Sequence, residues 1–307
     1  MSRALTEHSV LVFDVYATLI DWEAGISKAL EPLLGRFPPS VRWSREEALL
    51  TYASVEHDLE VRYPGMLYSD LLAKVHEELE KGLNTLAGDE DAQREALTSS
   101  TARLRHQAFA ESIRCWPLFP DTQAALQSLS KHFKLVVLSN VDRTSFGYTH
   151  ALLSEGPSPD PISSSLYASP VLKPGQYWFP RAVANSKTPF SLIMTAQDTG
   201  IYKPALGGFN KVLETIRTSE TLLGGRSPIG QDLTLEEVKE QVLVVSTSIH
   251  HDIVPAGRLR VESVWIERPG TGAAAGAAEE RNWTWKFETL GEFAEVIEKE
   301  FAEKEKC

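Results

Sequence analysis

Cysteine, long apolar runs and excess positive charge are scarce or missing in this chain of 307 residues. Its two cysteines, Cys115 and Cys307, cannot build a disulfide framework, so we expect a reducing, cytoplasmic location. No run reaches the roughly 18 uninterrupted apolar residues that a membrane-spanning helix needs. No basic segment followed by an apolar one opens the chain, and we expect neither a secretory leader nor a membrane partner.

Acidic residues outnumber basic ones, with 42 Asp and Glu against 31 Lys and Arg, and the formal net charge is −11 at pH 7. Nucleic acids bind to concentrated basic patches, which this sequence does not contain, so a nucleic-acid partner is not expected. Local positive charge still allows an anionic small molecule as the substrate. Apolar residues make up 42% of the chain, which is enough for a buried core, and the composition leaves a homodimer open.

Three short apolar runs are typical of buried parallel strands: VLVFD at 10–14, KLVVLS at 134–139 and VLVVS at 242–246. SLIMT at 191–195 and SVWIE at 263–267 are weaker examples. A stretch with a helical pattern flanks each of these runs. Strands that alternate with helices predict an α/β fold, with a Rossmann-like parallel sheet as its core.

The stretch between the first and second strands has an almost wholly helical pattern. One helix in it is predicted to begin with a capping box formed by Ser44 and Glu47. We therefore predict a core made of residues 1–20 and 128–307, with a helical domain, 21–127, inserted into it. A segment rich in Pro and Ser, 156–175, is predicted to be a loop.

Polar side chains follow the strands at their carboxyl ends, where parallel sheets bind ligands. The first strand leads to Asp14, the second to Ser139 and Asn140, and the third to Asp252; Lys203 follows the run at 191–195. A carboxylate, a hydroxyl, an amine and a second carboxylate are the groups that covalent catalysis by an aspartate requires. The pattern therefore favours a hydrolytic site at this edge of the sheet.

Four motifs occur in a fixed order: FDVYATL, LSN, YKP and the final HD of SIHHD, with the helical insert after the first. In these motifs the chain resembles the haloacid dehalogenase superfamily of hydrolases. The D-x-Y-x-T form of the first motif is similar to that of the L-2-haloacid dehalogenases, whereas phosphatases of the superfamily have D-x-D-x-T. The resemblance covers nearly the whole chain and implies that 21–127 is a helical cap domain.

The resemblance also implies roles for the residues at the motif positions. Asp14 would be the nucleophile, Lys203 would fix its charge, and Asp252 would be the acidic residue of the last motif. Thr18 and Ser139 would hold the substrate carboxylate or the developing oxyanion, and Asn140 would help to bind the departing halide. Tyr16 and Ser248 would be further substrate-binding residues.

Tyr16 stands where the phosphatases have a second aspartate, which protonates a departing alkoxide. General acid catalysis of that kind contributes roughly 10²–10⁴-fold in rate. A halide leaves without a proton, and a tyrosine with an ordinary pKa of about 10 is a poor proton donor at neutral pH. The sequence therefore favours displacement of halide at carbon, followed by hydrolysis of an aspartyl ester.

Two alternatives stay open at this point. One is a Mg²⁺-dependent phosphatase in which Asp14 and Asp252 hold the ion; the dehalogenase reaction itself requires no cofactor. The other is a catalytically idle binding protein with the same fold, because the last motif reads TSIHHD where the dehalogenases have S-x-N-x-x-D. The helical insert also has Glu56 and His57 where those enzymes carry a halide-binding arginine, which predicts an altered substrate.

Overall fold

A computed structural model describes residues 3–38, 41–88, 99–157, 161–173, 175–223, 232–268 and 282–306. The chain divides into two compact units, Met1–Ile20 with Leu118–Cys307, and Asp21–Pro117. The second boundary thus follows residue 117, whereas the sequence predicts it after residue 127. The reason is the helix Thr122–His132, which packs against the strand Lys134–Ser139 and the helix Leu290–Lys304 of the first unit.

The first unit is built on one six-stranded sheet in which all neighbouring strands are parallel. The strands are β1 (Val10–Phe13), β2 (Lys134–Ser139), β3 (Phe190–Thr195), β4 (Val242–Ser246), β5 (Glu262–Ile266) and β6 (Trp285–Phe287). The five predicted strands and the Rossmann-like α/β class are confirmed. The sequence does not predict β6, because three paired residues are too few to form a pattern.

The strands lie in the order β3-β2-β1-β4-β5-β6. The chain therefore moves from β1 outward to β3 on one side and then returns to β4 on the other side of β1. Every residue of β1, β3 and β4 is buried, which explains their continuous apolar composition. Such a reversal of strand order opens a crevice at the carboxyl ends of the two central strands, and polar residues follow both β1 and β4 there.

The described helices surround this sheet or form the second unit. In chain order they are α1 (Trp22–Leu34), α2 (Arg45–Arg62), α3 (Tyr68–Ala87), α4 (Ser100–Glu111), α5 (Thr122–His132), α6 (Arg143–Glu155), α7 (Pro161–Leu166), α8 (Ala196–Thr199), α9 (Leu206–Thr218), α10 (Leu235–Lys239), α11 (Val254–Arg258) and α12 (Leu290–Lys304). No helix among these has both the length and the apolar character to cross a membrane.

The second unit contains α1 to α4 and has its own buried core, which includes Tyr52, Leu72 and Phe109. Its helix α2 begins with the predicted capping box. The Ser44 hydroxyl accepts a hydrogen bond from the Glu47 amide, and the Glu47 carboxylate accepts one from the Ser44 amide. The helical nature of the insert follows the prediction.

The segment 156–175, predicted to be a loop, is not entirely irregular. Within its described part, Pro161–Leu166 forms the short helix α7. Proline is favoured in the first turn of a helix, since its missing amide hydrogen has no partner there in any case. The richness in Pro and Ser that predicts a loop is therefore also compatible with one helical turn.

Candidate active site

Asp14 is the first residue after β1, and its position is fixed by the sheet. Its amide donates to the carbonyl of Val245, 3.1 Å away, which extends the pairing of β1 with β4. Its side chain is almost fully buried. Three residues later Ala17 has a φ of 81°, a left-handed conformation that is uncommon for a residue with a side chain. This turn brings Thr18 back to Asp14, where its hydroxyl donates to Oδ2 at 2.7 Å.

Lys203 joins the two acidic residues predicted to be catalytic. Its Nζ lies 2.8 Å from Asp14 Oδ1, 2.8 Å from Asp252 Oδ1 and 3.0 Å from the carbonyl oxygen of Leu138. These three acceptors match the three hydrogens of an ammonium group. Only 3% of Lys203 is exposed, so the contacts with the two carboxylates are little screened by water.

Asn140 holds the backbone of Lys203. Its side-chain nitrogen donates to the carbonyl oxygen of Lys203 at 3.1 Å, and its side-chain oxygen accepts from the Lys203 amide at 2.7 Å. Asn140 was predicted to bind halide or substrate. This paired contact sets the point from which the lysine side chain reaches Asp14, and halide binding by Asn140 stays a prediction.

Asp252 lies in one turn of π-helix, Ile249–Ile253, that follows β4. Its Oδ1 accepts from Lys203, and its Oδ2 accepts from the Ser246 hydroxyl at 2.9 Å. The sequence analysis did not identify Ser246. Ser246 is the last residue of β4, as Ser139 is the last residue of β2, and a serine that ends an apolar strand is the signal that points to it. Turns of π-helix are rare and often occur at functional sites.

Ser248 was predicted to bind substrate, but its hydroxyl forms the cap of this π-turn. It accepts a hydrogen bond from the amide of His251 at 3.2 Å, and its carbonyl oxygen accepts from the amides of Asp252 and Ile253. Ser248 therefore positions Asp252 by shaping the turn that carries it.

Thr18 was also predicted to bind substrate, and its hydroxyl has two protein partners. It donates to Asp14 and accepts from the amide of Thr247 at 2.9 Å, so it ties the end of β1 to the end of β4. Arg268, a further residue absent from the predictions, donates to the Thr18 carbonyl oxygen from Nε and Nη2 at 3.1 and 2.9 Å. It also pairs with Asp121 and lies over the ring of Phe119.

Two hydroxyl groups near the strand ends are buried without a hydrogen-bond partner among the described residues. They are Ser139 Oγ, at the end of β2, and Thr247 Oγ1, just beyond β4. Buried polar groups in native structures usually have partners, because an unpaired one costs about 1–3 kcal/mol. These two donors are therefore the candidates for ligand contacts.

Tyr16, the third residue of the D-x-Y-x-T motif, forms a hydrogen bond with Thr149. The two hydroxyl oxygens are 2.8 Å apart. Burial raises the pKa of Tyr16 above its ordinary value, with the nearby acids Asp142 and Asp14 adding to the rise and Thr149 opposing it. The phenol therefore keeps its proton throughout the neutral range.

The charges of the site are unequal, because one ammonium faces two carboxylates. Burial lowers the pKa of Lys203, but Asp14 and Asp252 outweigh it and the net pKa is raised. Burial raises the pKa of Asp252 to about 7, while Lys203 opposes the rise and Asp14 adds to it. At neutral pH the lysine is therefore charged, and the pKa of Asp252 lies close to that pH.

No protein-family model and no curated protein sequence matches the chain. Solved structures do. An L-2-haloacid dehalogenase from Xanthobacter autotrophicus matches with a TM-score of 0.55 and 14% identity, over 95% of this chain and 98% of its own. The L-2-haloacid dehalogenase PA0810 matches with a TM-score of 0.56 and 16% identity, over 94% and 99%.

A third similar structure is that of the protein YfnB from Bacillus subtilis, described as a HAD-hydrolase bound to magnesium. It matches with a TM-score of 0.55 and 17% identity, over 95% of this chain and 99% of its own. At such identities the likeness concerns the fold and not the reaction. The chain has the haloacid dehalogenase-like fold.

Proposed function

We propose that this protein is a hydrolase in which Asp14 attacks a carbon atom of a small anionic substrate, and that its reaction is halide release from a 2-haloalkanoic acid. The observation that carries the proposal is the Lys203 ammonium, which lies 2.8 Å from both Asp14 and Asp252. Its positive charge faces the negative charge of a buried carboxylate, and a carboxylate is the form of aspartate that acts as a nucleophile.

In the first step Asp14 forms a bond to carbon 2 of the substrate, and the carbon–halogen bond breaks. The halide departs with the bonding electron pair, and an aspartyl ester results. Lys203 and Thr18 each donate to one oxygen of Asp14, and this fixes the orientation of the carboxylate. A fixed orientation of the reacting groups lowers the entropic part of the barrier.

In the second step water attacks the ester carbon of Asp14. Esterification removes the charge of Asp14, which is one of the causes that raise the pKa of Asp252. Asp252 consequently becomes a carboxylate paired with Lys203, able to take a proton from the attacking water. The alcohol leaves with one proton, Asp14 returns to its ionised form, and one further proton is released for each turnover.

Tyr16 supports halide over alkoxide as the leaving group. Its raised pKa makes proton transfer from the phenol unfavourable at neutral pH, and its hydroxyl is within hydrogen-bond distance of Thr149. A halide needs no proton, whereas an alkyl phosphate would lose about 10²–10⁴-fold in rate without an acid.

The Ser139 hydroxyl, which has no hydrogen-bond partner in the described part of the chain, supports an anionic substrate, because a carboxylate oxygen would supply an acceptor. Thr247 offers a second such hydroxyl. The residues proposed to bind substrate are thus Ser139 and Thr247, whereas Asn140, Thr18 and Ser248 are proposed as positioning residues.

The test is a single-turnover reaction in ¹⁸O-labelled water with a panel of 2-haloalkanoates, in which released halide is measured. We expect ¹⁸O in the carboxylate of Asp14, found by peptide mass analysis, and no halide release by the variant Asp14→Asn. Label found only in the product alcohol, or wild-type turnover by the variant, would refute the nucleophilic role.

A Mg²⁺-dependent phosphatase is the second candidate, and the excess negative charge of the site favours it. Asp14 and Asp252 would hold the ion, since oxygen ligands of this kind suit Mg²⁺. The donor set fits only in part, because Lys203 already takes one oxygen of each carboxylate, and Thr18 and Ser246 donate to the others. When bound, Mg²⁺ would offset the charge of a phosphate.

The two candidates respond differently to a chelator. Phosphate release that EDTA abolishes and added Mg²⁺ restores would favour the phosphatase, whereas halide release that EDTA leaves unchanged supports the dehalogenase. Because Tyr16 is a poor acid, phosphatase activity is expected only with activated substrates such as aryl or acyl phosphates. Ligand-dependent melting without any product from either panel would instead indicate a binding protein.

A further inference from the structure

The helical unit contains a buried group of two histidines and one glutamate that plays no part in the proposed reaction. His76 and Glu80 are four residues apart on α3, so they share one face of that helix, and His106 lies on α4. All three are buried, with exposures of 4%, 0% and 7%. Helices α3 and α4 pack against each other, which brings the three side chains together.

The nitrogens of the two imidazoles are unusually close. His76 Nδ1 and His106 Nδ1 are 2.7 Å apart, and His106 Nδ1 is 3.8 Å from Glu80 Oε2. One ligand atom from each residue can be chosen so that all of them lie within 4.8 Å of one another. Two nitrogens on one tetrahedral zinc ion would be about 3.3 Å apart, given a Zn–N distance of about 2.05 Å. The distance between the two nitrogens is therefore shorter than the spacing that zinc requires, and the distance from His106 Nδ1 to the Glu80 oxygen is longer.

Glu80 uses its two oxygens unequally. Oε1 accepts hydrogen bonds from the guanidinium groups of both Arg36 and Arg105. Oε2 is buried, lies on the side of the histidines and has no hydrogen-bond partner among the described residues. One oxygen of this carboxylate is thus bound by arginines, and the other is buried without a hydrogen bond to any described residue. A metal ligand and the residues that support it have the same arrangement.

The ring of Phe109, three residues after His106 on the same helix, packs against His76 with the ring centroids 4.8 Å apart. This contact limits the rotation of the imidazole. A ligand that is already oriented loses less entropy when a metal binds.

We propose that His76, Glu80 and His106 form a binding site for a divalent first-row transition-metal cation such as Zn²⁺. Two imidazole nitrogens and one carboxylate oxygen form a donor set that suits zinc and iron(II) and leaves at least one position for water. The site is independent of Asp14, and it requires none of the chemistry proposed for that residue.

The two arginines weaken the site without excluding it. Arg36 and Arg105 place positive charge near the cation, but their side chains are 38% and 31% exposed, so water screens part of the repulsion. We therefore expect a moderate affinity, in the micromolar range, and not that of a structural zinc site.

The experiment uses the full chain, free of affinity tags and stripped with EDTA, titrated with Zn²⁺ by calorimetry and with Co²⁺ by visible absorption. We expect one Zn²⁺ per chain, and a Co²⁺ spectrum with the bands of nitrogen and oxygen ligation. The variants His106→Gln and Glu80→Gln should bind Zn²⁺ at least about tenfold more weakly, since even the outer partners of metal ligands are worth about 10- to 100-fold.

His132→Gln is the matched control, because His132 also contacts a glutamate, Glu298, but lies in the other unit. This variant should bind Zn²⁺ as the wild type does. Circular dichroism and cooperative melting establish whether each variant folds. Glu80→Gln preserves the side-chain volume, so its affinity for Zn²⁺ tests the proposal if His106→Gln fails to fold. Absence of stoichiometric binding to the wild type, or equal binding by wild type and both site variants, would show that the cluster is only a packed hydrogen-bond network.

Discussion

Lys203 and Asp14 are 189 positions apart in the chain, yet Nζ of one lies 2.8 Å from Oδ1 of the other in the interior. The contact depends on two unrelated pieces of backbone. Asp14 is fixed by the pairing of β1 with β4, and Lys203 is fixed by the paired hydrogen bonds of Asn140. The ionic contact is thus a product of the tertiary structure, and each support can be removed separately.

Removal of the ammonium should destabilise the protein as well as inactivate it. In Lys203→Met, Asp14 and Asp252 would remain buried beside each other without their shared cation. Removing one partner of a buried ion pair costs about 3–5 kcal/mol, because the other charge stays uncompensated. We expect a loss of that size in the free energy of unfolding, measured by urea denaturation at pH 7.

Lys131→Met provides the comparison for that measurement. Lys131 also contacts a carboxylate, that of Glu298 at 3.2 Å, but it is 65% exposed. An exposed pair contributes about 0–1 kcal/mol, so this variant should be close to the wild type. Equal stabilities of the two lysine variants would mean that the ammonium of Lys203 does not balance the buried carboxylates.

Asn140→Ala separates a positioning role from a binding role. Without the side chain, the backbone of Lys203 loses two hydrogen bonds, and the ammonium moves relative to Asp14. A shift of about 1 Å can reduce a rate by about 100-fold. We expect kcat for halide release to fall by about 10- to 100-fold with little change in KM, measured by steady-state kinetics.

The sequence instead predicts that Asn140 binds the halide or the substrate, and that role would give a different result. KM would then rise, and kcat would change less. Asn210→Ala, which removes an exposed asparagine on α9, serves as the control and should leave both constants unchanged.

The position of the candidate site could be predicted from the sequence, since apolar strands followed by polar residues mark the carboxyl edge of a parallel sheet. Asp14, Lys203 and Asp252 do come together there. The partner of each hydroxyl or amide could not be predicted, because it depends on contacts between distant segments. Thr18 reaches Thr247 only because β1 pairs with β4.

The elements that escaped prediction are short or defined by their surroundings. The three residues of β6 form a strand because β5 offers an edge to pair with. Arg268 follows an unremarkable Glu267, and nothing in its neighbours indicates that its guanidinium will hold the carbonyl oxygen of Thr18. The end of the helical insert is set by the packing of α5 against α12, and helical periodicity alone does not reveal it.

Tyr16→Phe tests whether the phenol acts as an acid. The substitution removes the hydrogen bond to Thr149, whose side chain is buried, and should lower the free energy of unfolding by about 1–2 kcal/mol. Because the raised pKa of Tyr16 already prevents proton transfer at neutral pH, the pH profile of kcat should keep its shape. Thr149→Val removes the same hydrogen bond from the other side and should behave alike. If the acidic or the basic side of the pH profile of kcat disappeared in Tyr16→Phe but not in Thr149→Val, the phenol would be shown to transfer a proton.

His150 should make the stability of the sheet unit depend on pH in a defined direction. Burial lowers the pKa of His150 from about 6.5 to about 4, although its contact with the carbonyl oxygen of Tyr167 acts in the opposite direction. Nε2 of the ring lies 2.7 Å from the hydroxyl of Thr188, and both contacts form around a neutral ring.

The unfolded chain therefore binds a proton at His150 before the folded protein does. This contribution to stability is complete above pH 6.5 and is lost as the pH falls toward 4. A pKa lowered from 6.5 to about 4 corresponds to about 3 kcal/mol. His150→Gln lacks this proton site, so we expect the gap in unfolding free energy between wild type and variant to narrow by about that amount between pH 7 and pH 4, in urea titrations at several pH values. Parallel curves for the two proteins would mean that His150 is not held neutral in the folded state.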